Sequence, residues 1–81
     1  MPPQDTTAPI LITVAPVDGG WALQAPVLCV DLFFLKGGQA EAAGRALAVR
    51  LAAAHRVVEM EIRLRGGGLA GRRRYPSLVA A

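Results

Sequence analysis

Asparagine is absent from this chain, and histidine, cysteine, serine and lysine occur once each. A catalytic site needs a nucleophile, a base and an orienting group that converge, or several metal ligands. His55, Cys29, Ser77 and three threonines can hardly assemble one such set. The expectation is a protein that is not an enzyme and holds no cofactor or metal. A lone Cys29 cannot form an internal disulfide, which suits a reducing cytoplasm. Met1 to Pro9 carries Asp5 and three prolines but no basic residue, so it does not read as a signal peptide. Asp31 and the prolines break the longest apolar runs, which argues against a membrane span.

What remains is 81 residues that are 53% hydrophobic, much of it alanine, with a net charge of +3. A chain this size buries roughly 60–65% of its unfolded surface, so one domain is viable but marginal. Residues 1–8 read as a disordered tail, 9–76 as a single domain, and 77–81 as a short C-terminal tail.

Alternation begins at Ile10. Ile10, Ile12 and Val14 point one way, and Leu11, Thr13 and Ala15 the other. Asp18-Gly19 is a two-residue turn signal, pairing Val14 with Leu23, Ile12 with Ala25, and Pro16 with Trp21. Val27 to Leu35 is then apolar on both faces apart from Asp31. Such a strand is either central in its sheet or covered by another subunit. Leu28, Val30, Leu32 and Phe34 are expected to face a helix, and Cys29, Asp31 and Phe33 to lie opposite.

Gln39 to His55 is alanine-rich and predicts that helix. Ala40, Ala43, Leu47, Leu51 and Ala54 form its expected buried stripe. Glu41 and Arg45 make an i, i+4 pair. Arg56 and His55 sit where cations favour the helix dipole.

Val57 to Pro76 reads as a hairpin around a glycine turn. With a two-residue turn at Gly66-Gly67, Leu64 faces Leu69, Ile62 faces Gly71, Glu61 faces Arg72 and Glu59 faces Arg74. A three-residue turn would swing Arg72 and Arg74 onto the apolar face, where unpaired charge is costly. Two arginines are thus matched by glutamates. Arg56, Arg63, Arg65 and Arg73 remain as the candidate polyanion-binding residues, with Arg73 on the apolar side. The string Gly66 to Gly71 matches G-x-G-x-x-G, but no helix can follow to hold a pyrophosphate. Trp21 reads as core, and Tyr75 as more open.

The strand Ile12-Thr13-Val14-Ala15-Pro16 followed by Gly20-Trp21-Ala22-Leu23, the helix Ala40-Glu41-Ala42-Ala43-Gly44-Arg45-Ala46-Leu47-Ala48, and the closing Gly66-Gly67 and Arg72-Arg73-Arg74-Tyr75-Pro76 resemble a small bacterial family of unknown function. The resemblance covers most of residues 10–76 and implies a β-β-β-α-β-β order without implying an activity. The chain departs from the pattern at Gly37-Gly38, where a Ser, Thr or Lys is usual, and in its more apolar Val27–Leu35 run. The N-terminal half is also similar, at the level of fold, to antitoxins that pair a three-stranded sheet with one helix.

The fold expected is α+β: one antiparallel-rich sheet of about five strands with a single helix on one face. One helix leaves the second face or an edge for water or a partner. Leu11, Cys29 and Phe33 are the candidate dimer face of a two-fold homo-oligomer. The function expected is a small interaction or oligomerisation module with a possible protein partner. Phosphate-backbone binding to nucleic acid is the less favoured alternative.

Overall fold

The computed structural model describes residues 9–54 and 56–76, so both tails and His55 lie outside the described residues. The chain runs β1 (Ile10–Val17), β2 (Gly20–Gln24), β3 (Leu32–Phe34), α1 (Gly37–Ala53), β4 (Val58–Arg63) and β5 (Leu69–Tyr75). These form one five-stranded sheet ordered β3-β2-β1-β4-β5, and the helix packs on it, an α+β fold. Every neighbouring pair is antiparallel except β1 and β4. The parallel pair follows from connectivity. A return from the β3 edge to β4, parallel to it, needs a crossover, and α1 supplies one.

The first hairpin has the expected register, with Val14 opposite Leu23 and Pro16 opposite Trp21. Gly19 takes φ 77° in its turn. Ile10, Ile12 and Val14 are buried beneath the helix with Leu23, Val58 and Met60. Ile12, Val14 and Val58 are wholly inaccessible.

β3 is much shorter than the expected Val27–Leu35 strand. Pro26 instead occupies a turn in which the Leu28 N–H donates to the Ala25 carbonyl at 3.0 Å, the position where a fixed proline φ is favourable. Leu28 packs against the core, but Val30 does not face the helix and is 70% exposed. The helix starts two residues early, at Gly37, with Lys36 as an N-cap that makes no side-chain bond.

The helix's buried stripe also differs from expectation. It is Ala40, Gly44, Ala48 and Ala52, one residue per turn, while Ala43, Leu47 and Leu51 flank it half-buried and Ala54 is exposed. Small residues at i, i+4 bring the helix backbone close to the sheet. A Cβ on Gly44 would sit 2.8 Å from Met60 Cε and 3.3 Å from Leu23 Cδ1.

The second hairpin keeps the expected ladder by another route. Glu61 faces Arg72, Glu59 faces Arg74 and Ile62 faces Gly71, but Arg63, not Leu64, faces Leu69 across a register shift. Leu64 donates to the Gly68 carbonyl at 2.7 Å, and Gly67 donates back to the Leu64 carbonyl at 3.0 Å. The loop is therefore Arg65-Gly66-Gly67, with φ 97° and 93° at its two glycines. A three-residue turn alone would misplace the arginines. A β-bulge absorbs the extra residue at Ala70 and restores the pairing.

Gly20 supports the β2–β3 contact. A Cβ there would strike the Phe34 carbonyl oxygen and lie 2.6 Å from Phe33 Cζ. Gly20→Ala is expected to cost about 1–3 kcal/mol through forced displacement of β3. Urea denaturation followed by circular dichroism measures it, and an unchanged midpoint would contradict the packing described.

Candidate interaction surfaces

The sheet face away from the helix is organised by register into polar rows. Arg72, Glu61, Thr13 and Gln24 lie side by side across β5, β4, β1 and β2. Arg74, Glu59 and Leu11 form the adjacent row. Glu61 is only 4% exposed although no described element covers this face. Its carboxylate accepts from Arg63 Nη2 at 3.0 Å and from Arg72 Nη2, so arginine side chains shield it. Arg74 Nη1 donates to Glu59 at 3.2 Å. At the far end, Gln24 Nε2 donates to Asp31 at 3.0 Å.

This geometry sorts the four candidate arginines. Arg63, expected to be unengaged, is paired with Glu61 because the two share one face of β4. Arg65 is engaged too. Its guanidinium lies 3.4 Å from the carbonyls of Val17 and Gly20 and 5.7 Å from the Trp21 ring centroid. It ties the loop of the second hairpin to the turn of the first, using a cation–π contact. Arg73 lies on the helix face opposite Met60, as expected, with its guanidinium 5.5 Å from the Tyr75 ring. Arg56 follows the helix, and its N–H donates to the Leu51 carbonyl. The four do not form one patch.

Tyr75 is less open than expected. Its ring packs against the core, and its hydroxyl and Arg56 Nε are buried without a hydrogen-bond partner among the described residues. Arg73, Arg45 and Arg50 surround it on the helix side, in a groove between α1 and β5. Sequence reasoning missed this groove, because it exists only where the helix stops short of covering β5.

The candidate dimer residues are also dispersed. Phe33 pairs with Ala22 and so stands level with Ala15, four residues along β1 from Leu11. That separation is about 13 Å along the strand. Cys29 is exposed in the loop before β3, not on a strand. What the structure does bring together is the apolar segment itself. Val27, Val30, Leu32, Phe33 and Leu35 are 49, 70, 40, 55 and 74% exposed. They gather at the β3 edge of the sheet.

Among the described residues no cluster of three His, Cys, Asp or Glu side chains could hold a metal ion. Among the described residues no helix is long and apolar enough to cross a membrane. Comparison with family models, with curated proteins and with solved structures finds no match to the chain.

Proposed function

We propose that this chain is a non-enzymatic interaction module, of the small bacterial type its motifs resemble, that acts as a two-fold dimer in the cytoplasm. The observation that carries the reading is the exposure of the 27–35 segment. A run apolar on both faces belongs in a sheet centre or beneath another subunit, and here it lies at an edge. The second alternative is then the one that covers it.

The two sheet edges differ in a way that favours β3. Natural edges are protected by charge. β5 carries Arg72, Arg73 and Arg74, whereas Leu32-Phe33-Phe34 carries none. An antiparallel β3–β3 pairing about Phe33 would extend the sheet and cover Val30, Phe33 and Leu35 from both copies. The same self-complementary patch on both subunits is what two-fold symmetry requires. Phosphate-backbone binding has less support, because Arg63 and Arg65 are engaged within the fold and only Arg56 and Arg73 remain of the four.

Sedimentation equilibrium at micromolar protein tests this reading. A dimer of the 8.5 kDa chain is expected. Phe33→Glu with Leu35→Glu should convert it to monomer with its circular dichroism retained. A wild-type chain that sediments only as monomer overturns the proposal.

A further inference from the structure

We infer that the opposite edge of the sheet, β5 with the groove beside it, binds an extended acidic peptide segment by strand addition. The inference rests on the interaction reading above but uses a different surface, so either can fail alone.

Three observations converge here. First, β5 has a sheet neighbour on one side only among the described residues, so the outer main-chain groups of Leu69–Tyr75 form a template for another strand. Second, the helix lies mainly over β1, β2 and β4 and barely reaches β5. This leaves a groove floored by Ile62 and Tyr75 and walled by Arg45, Val49 and Arg50. Gly71 lies in that floor with no atom near the position of a Cβ, so an incoming side chain has room beside it. The inner cavity of about 190 Å³ suits one apolar side chain. Third, the rim carries an excess of positive charge. Arg45 is paired with Glu41, while Arg50 and Arg73 have no carboxylate partner among the described residues.

These features select the occupant. A second copy of β5 is disfavoured, because a two-fold pairing about Arg73 sets Arg73 against Arg73 and Arg72 against Arg74. Like charges directly opposed are destabilising. A nucleic acid is disfavoured because Glu41, Glu59 and Glu61 are interleaved with the arginines on both faces, whereas a phosphate backbone calls for an uninterrupted basic track. A strand whose groove-facing positions carry carboxylate and aliphatic side chains in turn meets all three conditions. Its main chain pairs with β5, and on the face it turns to the helix its aliphatics enter the groove while its acids meet Arg50 and Arg73.

The test uses a fluorescein-labelled peptide as long as β5 in which every second residue is threonine and the positions between carry glutamate and leucine in turn, so that one face presents both acid and aliphatic side chains. Fluorescence anisotropy at low salt should show saturable binding. The lysine-for-glutamate peptide should not bind. Arg73→Glu should weaken binding at least about tenfold, with the fold confirmed by circular dichroism. A glutamate peptide N-methylated on alternate amides should bind in one methylation register and fail in the other, because only one set of amides faces β5. Phe33→Glu with Leu35→Glu should leave the peptide affinity unchanged even where it dissolves the dimer. Absence of binding, equal binding of both methylated peptides, or tighter binding of a single-stranded oligonucleotide than of the peptide would each overturn the inference.

Discussion

Shortening Ile12 to alanine is expected to lower the unfolding free energy by about 2–5 kcal/mol. Ile12 is wholly buried on β1, which lies between β2 and β4 beneath the helix. The cost of such a change depends on how far the surroundings collapse into the space left behind. Here they can collapse little. The helix already meets the sheet through Ala40, Gly44, Ala48 and Ala52, and Gly44 leaves no gap to Met60 and Leu23. The loss should therefore fall in the upper half of that range. A domain stabilised by about 0.05–0.15 kcal/mol per residue holds about 4–12 kcal/mol over 81 residues. Ile12→Ala thus removes a large fraction of the total. Urea denaturation should show a much lower midpoint with an unchanged slope, with both chains compared at one protein concentration, since in a dimer the midpoint of each falls on dilution. A shift below about 1 kcal/mol would mean that the helix is not seated on β1 as described.

The parts of this fold legible in the sequence are those fixed by pairwise complementarity. Only one register sets Glu59 and Glu61 against Arg74 and Arg72 and keeps Met60 and Ile62 inside, and that register is the one observed. The first hairpin is legible for the same reason, because Asp18-Gly19 places aliphatic against aliphatic across the ladder. Loop detail is less legible. A two-residue turn and a three-residue turn with a bulge produce the same ladder beyond Ile62, so side-chain pairing cannot distinguish them. Three consecutive glycines offer no side chain to decide between them either.

The helix stripe shows a different limit. Periodicity alone favours Leu47 and Leu51 as the buried positions, since burying them removes more apolar area from water. The sheet instead accepts Ala48 and Ala52, because the close approach permitted by Gly44 leaves no depth for leucine directly beneath the axis. Hydropathy is identical for a central strand and for one covered by another subunit, so it does not place Val27–Leu35. Pro26 commits Ala25–Leu28 to a turn, and only Leu32–Phe34 remains as a strand, at the sheet edge. The candidate site was legible only in its residue types. That Arg65 reaches back to Val17 and Gly20, and that β5 projects beyond the helix, depends on strand order rather than on spacing.

Glu59→Gln combined with Glu61→Gln is expected to raise the affinity of the chain for a polyanion substantially. In the wild-type chain three arginines, Arg63, Arg72 and Arg74, contact these two carboxylates. The glutamates hold the guanidinium groups against the sheet and repel an approaching phosphate. Neutralising both leaves the cations in place on one sheet face with nothing to balance them. Each arginine that then meets a phosphate steepens the salt dependence of duplex binding by about 0.9 in log–log slope. The double variant should therefore gain about 2–3 units of slope over wild type, with tighter binding at low salt. The same change carries a structural cost. Glu61 is buried, and an amide there places N–H donors against a guanidinium that needs an acceptor. Losing one bond to a charged group costs about 1.5–3 kcal/mol, so the variant should melt earlier while binding better. Glu59→Gln alone, at a more accessible site, should show a smaller gain in slope and little loss of stability. Filter binding of a short duplex across a salt series, paired with thermal melts, separates these outcomes. An unchanged slope in the double variant would mean that the glutamates do not mask the arginines, and that the arginine-rich strand has no latent affinity for phosphate.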